Sequence, residues 1–221
     1  MLYGFFFLVV AVWSIALAID RGGWTLLLVW PGMSFGIVSG AYLGLGPGVF
    51  GKRDDGKLAW WAMAPSAPYL LLTWLIWYAY RFRGECWNEI VPGLFLGRRA
   101  WPGELPEEVD LVVDLTCEFG EPRGVIAGRS YLCLPTLDAR VPHEGRFREL
   151  IERVAAWPGK AYVHCAMGHG RSGTTVMGVL LARQVVATVA EAEAMVRRGR
   201  PGVRLKPVQR RLLEKLFPLA E

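Results

Sequence analysis

The chain has 221 residues, 53% of them hydrophobic, with 25 Lys and Arg against 20 Asp and Glu and a formal net charge of +5. Residues 1–83 hold nine of the 45 charged residues and seven of the ten tryptophans, whereas the remaining 138 residues hold 36 charges, an ordinary globular density. That split excludes a single soluble globule, a disordered chain and a disulfide-stapled secreted mini-protein, and points to a membrane part fused to a soluble part.

Three runs carry no charge: Met1–Ile19, Gly22–Gly51 and Leu58–Tyr80. Each is long enough for a helix of about 20 residues to cross a hydrocarbon core roughly 30 Å thick. The spacing predicts spans near 2–19, 24–46 and 58–80 inside a membrane region 1–83. Trp24, Trp30, Trp60, Trp61, Trp74, Trp77, Tyr78 and Tyr80 lie near run ends, where interfacial aromatics collect. Ala16-Leu17-Ala18 resembles a signal-peptide cleavage site, but no Lys or Arg precedes it, so the charged leading region is missing. Glycines 32, 36, 40, 44 and 48 are spaced by four, which puts them on one helix face and lets another backbone approach. Packing within the chain's own bundle is the first reading; a helix–helix dimer through Gly32, Gly36, Gly40 and Gly44 is the second. Pro31 and Pro47 are expected to mark a kink and an exit. No ionisable residue lies inside a run, so no proton or ion path has a carrier, and the bundle reads as a bilayer anchor.

With three spans and the N-terminus outside, Arg21, Arg81, Arg83, Arg98 and Arg99 fall inside, while Lys52, Arg53 and Lys57 fall outside beside Asp54 and Asp55. The positive-inside rule then gives a multi-pass membrane protein with its C-terminal part, 84–221, cytoplasmic. Four cysteines without a disulfide framework fit the same reducing compartment.

In the soluble part, Leu111–Leu115, Tyr131–Leu134 and Ala161–His164 read as strands. Arg146–Ala156, Ser172–Ala187, Val189–Arg198 and Pro207–Phe217 read as helices. Alternation of the two predicts an α/β domain with a central, mostly parallel sheet flanked by helices. The chemistry lies in Val163-His164-Cys165-Ala166-Met167-Gly168-His169-Gly170-Arg171-Ser172-Gly173. An apolar strand runs into a glycine-containing loop, and an apolar helix starts near Ser172. Such a loop can turn successive N–H groups inward around an oxyanion, with a helix N-terminus behind it. Cys165 opens the loop, and an adjacent guanidinium and helix end favour the thiolate form of such a cysteine. Arg171 closes the loop and can grip two phosphate oxygens. A thiolate beneath a cradled phosphate is a nucleophile aimed at phosphorus. The same six-residue spacing recurs in Cys117-Glu-Phe-Gly-Glu-Pro-Arg123, but there Glu118 and Glu121 would repel phosphate, Pro122 lacks an N–H, and no helix pattern follows.

His-Cys-x2-Gly-x2-Arg-Ser resembles the signature of the cysteine-based protein tyrosine phosphatase superfamily, and its surroundings are similar to the dual-specificity branch. Ile90–Gly97 resembles that branch's opening strand, Val112–Thr116 its second core strand, Leu134–Asp138 its acid-bearing loop, and Arg198-Gly-Arg-Pro201 its basic turn before the last helix. The likeness covers about residues 87–218. It implies that Cys165 attacks phosphorus to form a phosphocysteine while Arg171 and the amides of loop 166–171 hold the oxygens. Asp138 is implied as the acid that protonates the leaving group and then activates water, with Asp114 a distant rival. Ser172 is implied to stabilise the departing thiolate, His164 to orient the loop, and Gln209 to position water. No metal or cofactor is implied. His169 reads as loop filler or a substrate contact, and His143 as a surface residue. Cys117 reads as a small core residue, although in some lipid phosphatases of the superfamily a cysteine near this place forms a reversible disulfide with the nucleophile.

Two substrate classes follow. One is a membrane-proximal phosphomonoester, a phospholipid such as phosphatidylglycerophosphate, suggested by the anchor and by Arg197, Arg198, Arg200, Arg204, Lys206, Arg210, Arg211 and Lys215 against the lone Glu214. The other is phosphotyrosine or phosphoserine/threonine in proteins. Positions 166, 167 and 169 lack the lysines found in relatives that favour polyphosphorylated inositol lipids. A rhodanese-type sulfurtransferase fits less well because Arg-Ser-Gly ends the loop, and a phosphate-binding pseudoenzyme scaffold would typically have lost Cys165, Arg171 or the acid. The basic stretch lacks interleaved aromatics, so no nucleic-acid partner is expected.

Overall fold

The computed structural model describes residues 2–218; Met1 and residues 219–221, the outer ends of the two expected parts, lie outside the described residues. The chain divides into two compact units. The first comprises Met1–Arg53, Lys57–Tyr80 and Cys117–Gly120, and the second Asp54–Gly56, Arg81–Thr116 and Glu121–Glu221.

The first unit contains α1 (Leu2–Arg21), α2 (Val29–Gly40) and α3 (Trp60–Tyr80). Two segments, Leu2–Arg21 and Gly23–Leu45, are long and apolar enough to cross a membrane. The expected third, α3, does form, over 21 residues, but it does not pass that test. Its run of Trp, Tyr and Pro makes it less apolar than its lack of charge suggests. The second segment is also not one regular helix. It opens with a 3-10 stretch Gly23–Leu28 and ends in a π-turn Ala41–Leu45, where Gly44 leaves helical geometry at φ 157°. Pro47 starts a further 3-10 turn, Pro47–Phe50, as expected of an exit. The glycines therefore do not form one five-residue face. A Cβ on Gly32 would lie 2.7 Å from Ile15 and one on Gly36 3.9 Å from Ala11, both on α1, while Gly48 meets nothing. Gly32 and Gly36 thus face α1 of the same chain.

Three side-chain contacts bind backbone groups within this unit. Pro68 inside α3 has no N–H to donate to the Ala64 carbonyl four residues earlier; the Trp30 indole N–H donates to that carbonyl at 3.1 Å instead. The Tyr69 N–H donates to Ser34 Oγ at 3.1 Å, and Ser39 Oγ to the Gly4 carbonyl at 2.8 Å. Phe7 stacks on Phe35 and meets Tyr69 edge-on at centroid distances of 6.0 and 5.7 Å.

The second unit is the α/β domain. Its strands are β1 (Trp87–Val91), β2 (Leu94–Arg98), β3 (Val109–Thr116), β4 (Ser130–Thr136) and β5 (Lys160–Cys165). Its helices are α4 (Arg123–Ile126), α5 (Glu144–Ala155), α6 (Arg171–Ala182), α7 (Val189–Gly199) and α8 (Pro207–Leu216). The sheet order is β1-β2-β5-β3-β4, with β1 antiparallel to β2 and every other pair parallel. The single opening strand expected over Ile90–Gly97 is instead part of a hairpin. Pro92 and Gly93 supply the fixed φ and the positive φ (77°) that a tight turn needs. The sheet is thus mixed, with three of its four pairs parallel.

One face of the sheet carries the main core, in which α6 is buried from Arg171 through Leu181. A Cβ on Gly173 would lie 2.8 Å from Val203, and one on Gly178 would overlap Ile151, so these glycines let the neighbouring elements close on α6. The other face holds Phe95, Val112, Val125 and Tyr162. Helix α6 stops five residues before the expected Ala187. Gln184 adopts φ 54°, and the N–H groups of Gln184 and Val185 return to the carbonyls of Leu181 and Leu180 at 3.0 Å each, closing the helix without glycine.

An ion-pair cluster fixes the start of this unit. Arg81, the residue after α3, and Arg98 both bond the Glu104 carboxylate, at 2.6 and 3.1 Å. Burial works to raise the pKa of Glu104, but hydrogen bonds from Arg98 and from the Trp101 N–H, with the Arg98 charge and the Arg81 bond, bring it down to about 2. The carboxylate is favoured only in the folded chain, so its stabilisation is complete above about pH 4.5 and fades as pH falls toward 2. In Glu104→Gln, acid unfolding followed by the fluorescence of the adjacent Trp87 and Trp101 should begin at higher pH and lose steepness below pH 4.5. An unchanged profile would contradict this role. Arg81, Arg98 and Arg99 are thus buried in the α/β unit and are not the surface flank charges that the orientation argument counted.

Candidate active site

In a largely parallel sheet, ligands bind outside the carboxyl ends of strands. Here β5 lies between β2 and β3, pairing Arg98 with Cys165 and Asp114 with His164. The loop Ala166–Gly170 therefore rises from the middle of the sheet into α6. Cys165 is 3% exposed and Arg171 3% exposed. Ser172 Oγ donates to Cys165 Sγ at 3.3 Å.

Four of the five carbonyls of Ala166–Gly170 are bonded to neighbouring elements. The Ala166 carbonyl accepts from the Arg99 N–H at 3.1 Å, and the Gly170 carbonyl from the Thr174 N–H and hydroxyl at 2.9 and 2.8 Å. Arg200 donates to the Gly168 carbonyl at 2.8 Å and to the Met167 carbonyl at 3.4 Å. A planar trans peptide points its N–H opposite its carbonyl, so the N–H groups of Met167, Gly168, His169 and Arg171 face away from those partners. Gly168 has φ 73°, and a Cβ there would collide with the backbone of Gly97 and Arg98. Gly97 is bare in turn because Tyr162 and the Cys86 carbonyl press against it. Met167, His169 and Gly170 remain partly exposed at the rim.

Arg171 reaches back to β4. Its Nη1 donates to the Thr136 carbonyl at the end of β4 at 2.9 Å, and its Nε lies 3.6 Å from Asp138 Oδ1. Asp138 is exposed two residues beyond β4, and the following Ala139 is held at φ 57°, a costly conformation for a residue other than glycine. The structure thus pairs Cys165 with Ser172 and Arg171 with Asp138, Arg171 and Ser172 being neighbours at the start of α6. Asp114, the rival acid, is fully buried and accepts from the Thr116 N–H and hydroxyl at 2.7 Å each and from the Tyr131 hydroxyl at 2.8 Å.

His164 lies behind the loop, fully buried and stacked on Tyr162 at 5.6 Å. Its Nε2 is 3.9 Å from Asp114 and 3.8 Å from Glu121. These three groups bring ligand-type atoms within 4.8 Å of one another, but the Arg99 guanidinium stands 3.7 Å from Glu121, filling the cationic position. Gln209 is buried. Its Oε1 accepts from the Lys206 N–H at 3.0 Å, and its Nε2 would lie 3.6 Å from a Cβ on Gly170. The His169 ring packs over Gly202; burial, then the Arg200 charge, lowers its pKa, which favours neutral imidazole. His143 is exposed before α5.

Several expectations change. At the Cys117–Arg123 repeat of the spacing, which the acidic residues already set apart, Cys117 Sγ donates to the Glu118 carboxylate at 3.3 Å; what differs is that a single helical turn, α4, follows. Arg200 does not belong to the basic surface stretch; it is buried and bonded inward. Arg210 pairs with Glu193 and Lys215 with Glu144. Arg197, Arg198, Arg204, Lys206 and Arg211 remain exposed.

No protein-family model matches this sequence, and no curated protein sequence matches it. Among solved structures, Tk-PTP in its active form aligns with a TM-score of 0.53 at 28% identity, over 60% of this chain and 96% of its own. PTPMT1 in complex with PI(5)P aligns with a TM-score of 0.53 at 22% identity, over 60% and 94%. DUSP15 aligns at 0.52 and 20% identity, over 61% and 89%. The α/β unit has the fold of dual-specificity phosphatases. With that fold and neighbours of this kind, the chain is an enzyme, a phosphoric monoester hydrolase of the cysteine-dependent tyrosine/dual-specificity phosphatase type.

Proposed function

We propose that this chain is a membrane-anchored phosphatase that hydrolyses a membrane-proximal phosphomonoester through a phosphocysteine on Cys165. The observation that carries the reading is the Ser172 hydroxyl donating to Cys165 Sγ at the foot of a loop whose Ala166, Met167, Gly168 and Gly170 carbonyls are bonded to neighbouring elements. In the first step the Cys165 thiolate attacks phosphorus, the P–O bond to the leaving group breaks, and Asp138 gives that oxygen its proton. The loop amides and Arg171 hold the three equatorial oxygens. In the second step Asp138, now a carboxylate, takes a proton from water, which displaces the sulfur while Ser172 stabilises the departing thiolate. His164 orients the loop and Gln209 the water. The residues supply the positive field themselves, so no metal enters either step.

We further assign residues 1–83 to an anchor with spans near 2–19, 24–46 and 58–80, and 84–221 to a catalytic domain on the cytoplasmic side. With Arg81, Arg98 and Arg99 buried, that side rests on the four cysteines, which form no disulfide among the described residues, and not on flank charges. Large apolar side chains exposed along the first unit, among them Phe5, Val9, Trp13, Leu27, Leu71 and Leu75, support a lipid surrounding. The substrate we favour is a phospholipid such as phosphatidylglycerophosphate. The five exposed cations at 197, 198, 204, 206 and 211 each contribute about 1 kcal/mol near an anionic leaflet, and the loop positions Ala166, Met167 and His169 suit a single phosphate better than a polyphosphorylated ring. A phosphoprotein substrate is the alternative, and it needs no bilayer. The full-length chain reconstituted in vesicles should release phosphate from phosphatidylglycerophosphate in its own bilayer at least about tenfold faster than from soluble phosphotyrosine or phosphothreonine peptides at equal bulk concentration, given the local concentration that anchoring supplies. Equal or reversed rates would sink the lipid assignment while leaving the phosphatase assignment intact.

A further inference from the structure

The turn after α7, Gly199–Gly202, contributes one side chain to the phosphate loop from more than 30 residues away. Arg200 is 7% exposed, and its backbone is pinned on both sides: its N–H donates to the Val196 carbonyl at 2.8 Å, and its carbonyl accepts from the Val203 N–H at 3.1 Å. Its guanidinium has four acceptors. Nε donates to the Gly168 carbonyl at 2.8 Å, Nη2 to the Met167 carbonyl at 3.4 Å and the Glu85 carbonyl at 3.2 Å, and Nη1 to Asn88 Oδ1 at 2.6 Å. The edge strand β1 and the segment before it therefore hold one side of a rigid planar fork, and the loop hangs from the other.

Resting on the phosphatase reading above, we propose that Arg200 is a positioning residue that sets the direction of the Gly168 and His169 N–H groups, and so aims two donors of the oxyanion cradle. By fixing the Met167 and Gly168 carbonyls outward, the guanidinium forces the following N–H groups inward, since each peptide is planar. Only a fork of fixed geometry holds two successive carbonyls and two outer acceptors at once; a lysine ammonium is a point donor on a flexible stem. Burial lowers the pKa of Arg200, while Tyr162 and Cys165 act in the opposite direction, so the cation and the nucleophile interact electrostatically as well. Gly202, two residues on in the same turn, leaves room for the His169 ring, so the turn holds the loop at Met167 and Gly168 and accommodates it at His169.

The test uses the full-length chain and two variants, with p-nitrophenyl phosphate as substrate and vanadate as the oxyanion probe. In Arg200→Lys, kcat/KM and vanadate affinity should fall together by about 10², the cost of losing one cradle donor. Asn88→Ala removes the outer hold but leaves Arg200 in place; there the same two quantities should fall together by roughly tenfold as the fork loosens. Partial unfolding would lower kcat while leaving the vanadate affinity of the remaining enzyme unchanged, and that pattern in both variants would overturn the proposal. Activity and vanadate binding within twofold of the parent in Arg200→Lys would also overturn it, and if that variant fails to fold, the same result in Asn88→Ala decides. A parent chain without Cys165-dependent hydrolysis would instead defeat the phosphatase reading, and vanadate calorimetry alone would then read the cradle.

Discussion

Cys165→Ser should abolish hydrolysis of p-nitrophenyl phosphate, with kcat falling by a factor on the order of 10⁴ to 10⁶, while the folded chain still binds vanadate. Serine is nearly isosteric, and the site it enters is closed around it: Cys165 is buried, at the end of β5, with the Ser172 hydroxyl 3.3 Å away. What changes is the nucleophile. A thiol sulfur is the intrinsically stronger nucleophile toward phosphorus, whereas a serine hydroxyl needs an adjacent base. Neither His164, behind the strand beside Asp114 and Glu121, nor Asp138, paired with Arg171, is placed beside Cys165 to serve as one. A serine variant retaining more than about a tenth of the activity would mean that the chemistry runs through another group.

The second large effect is expected at the other end of the loop. Arg171→Lys should lower kcat/KM by roughly 10³ to 10⁵, the range associated with a guanidinium that stabilises a transferring phosphoryl group. The guanidinium does two jobs at once. Nη1 is tied to the Thr136 carbonyl, which fixes its plane at the end of β4, and the remaining N–H groups present a flat pair of donors to two oxygens. Lysine keeps the charge and loses both the plane and the pair. Because the same bond links the loop to the strand that leads to Asp138, the lysine variant should also lose discrimination between good and poor leaving groups. Steady-state kinetics with aryl and alkyl phosphates measure both effects. A loss smaller than tenfold would place the phosphate away from Arg171.

How much of this was legible beforehand depended on whether the physics was local. The loop 165–171 reads directly from sequence because its requirements lie side by side: a strand running in, glycine at the position with positive φ, a helix running out. Strand and helix alternation likewise survives as the α/β sheet. The hairpin was hidden by reading Ile90–Gly97 as one apolar run, although Pro92-Gly93 inside it is a turn signal. The early end of α6 had no signal, because the left-handed position is filled by Gln184 rather than glycine. Arg200 was misread for a different reason: in a run of eight cations, sequence does not say which one points inward, and its acceptors lie on β1 and the phosphate loop. The same blindness put Arg81, Arg98 and Arg99 among flank charges, although Glu104 and Glu121 bury them. In the first unit, charge-free length identified α3, while its Trp, Tyr and Pro content makes it less apolar than α1.

The central claim is that phosphorus passes through the Cys165 sulfur. Mixing the full-length enzyme with ³²P-labelled substrate, quenching within milliseconds in denaturant and mapping the labelled peptide tests it directly. The account requires label on the peptide containing Cys165, formed at the rate of the first step and absent from Cys165→Ser. Multiple turnovers with no trapped label, or label on any other residue, would contradict it.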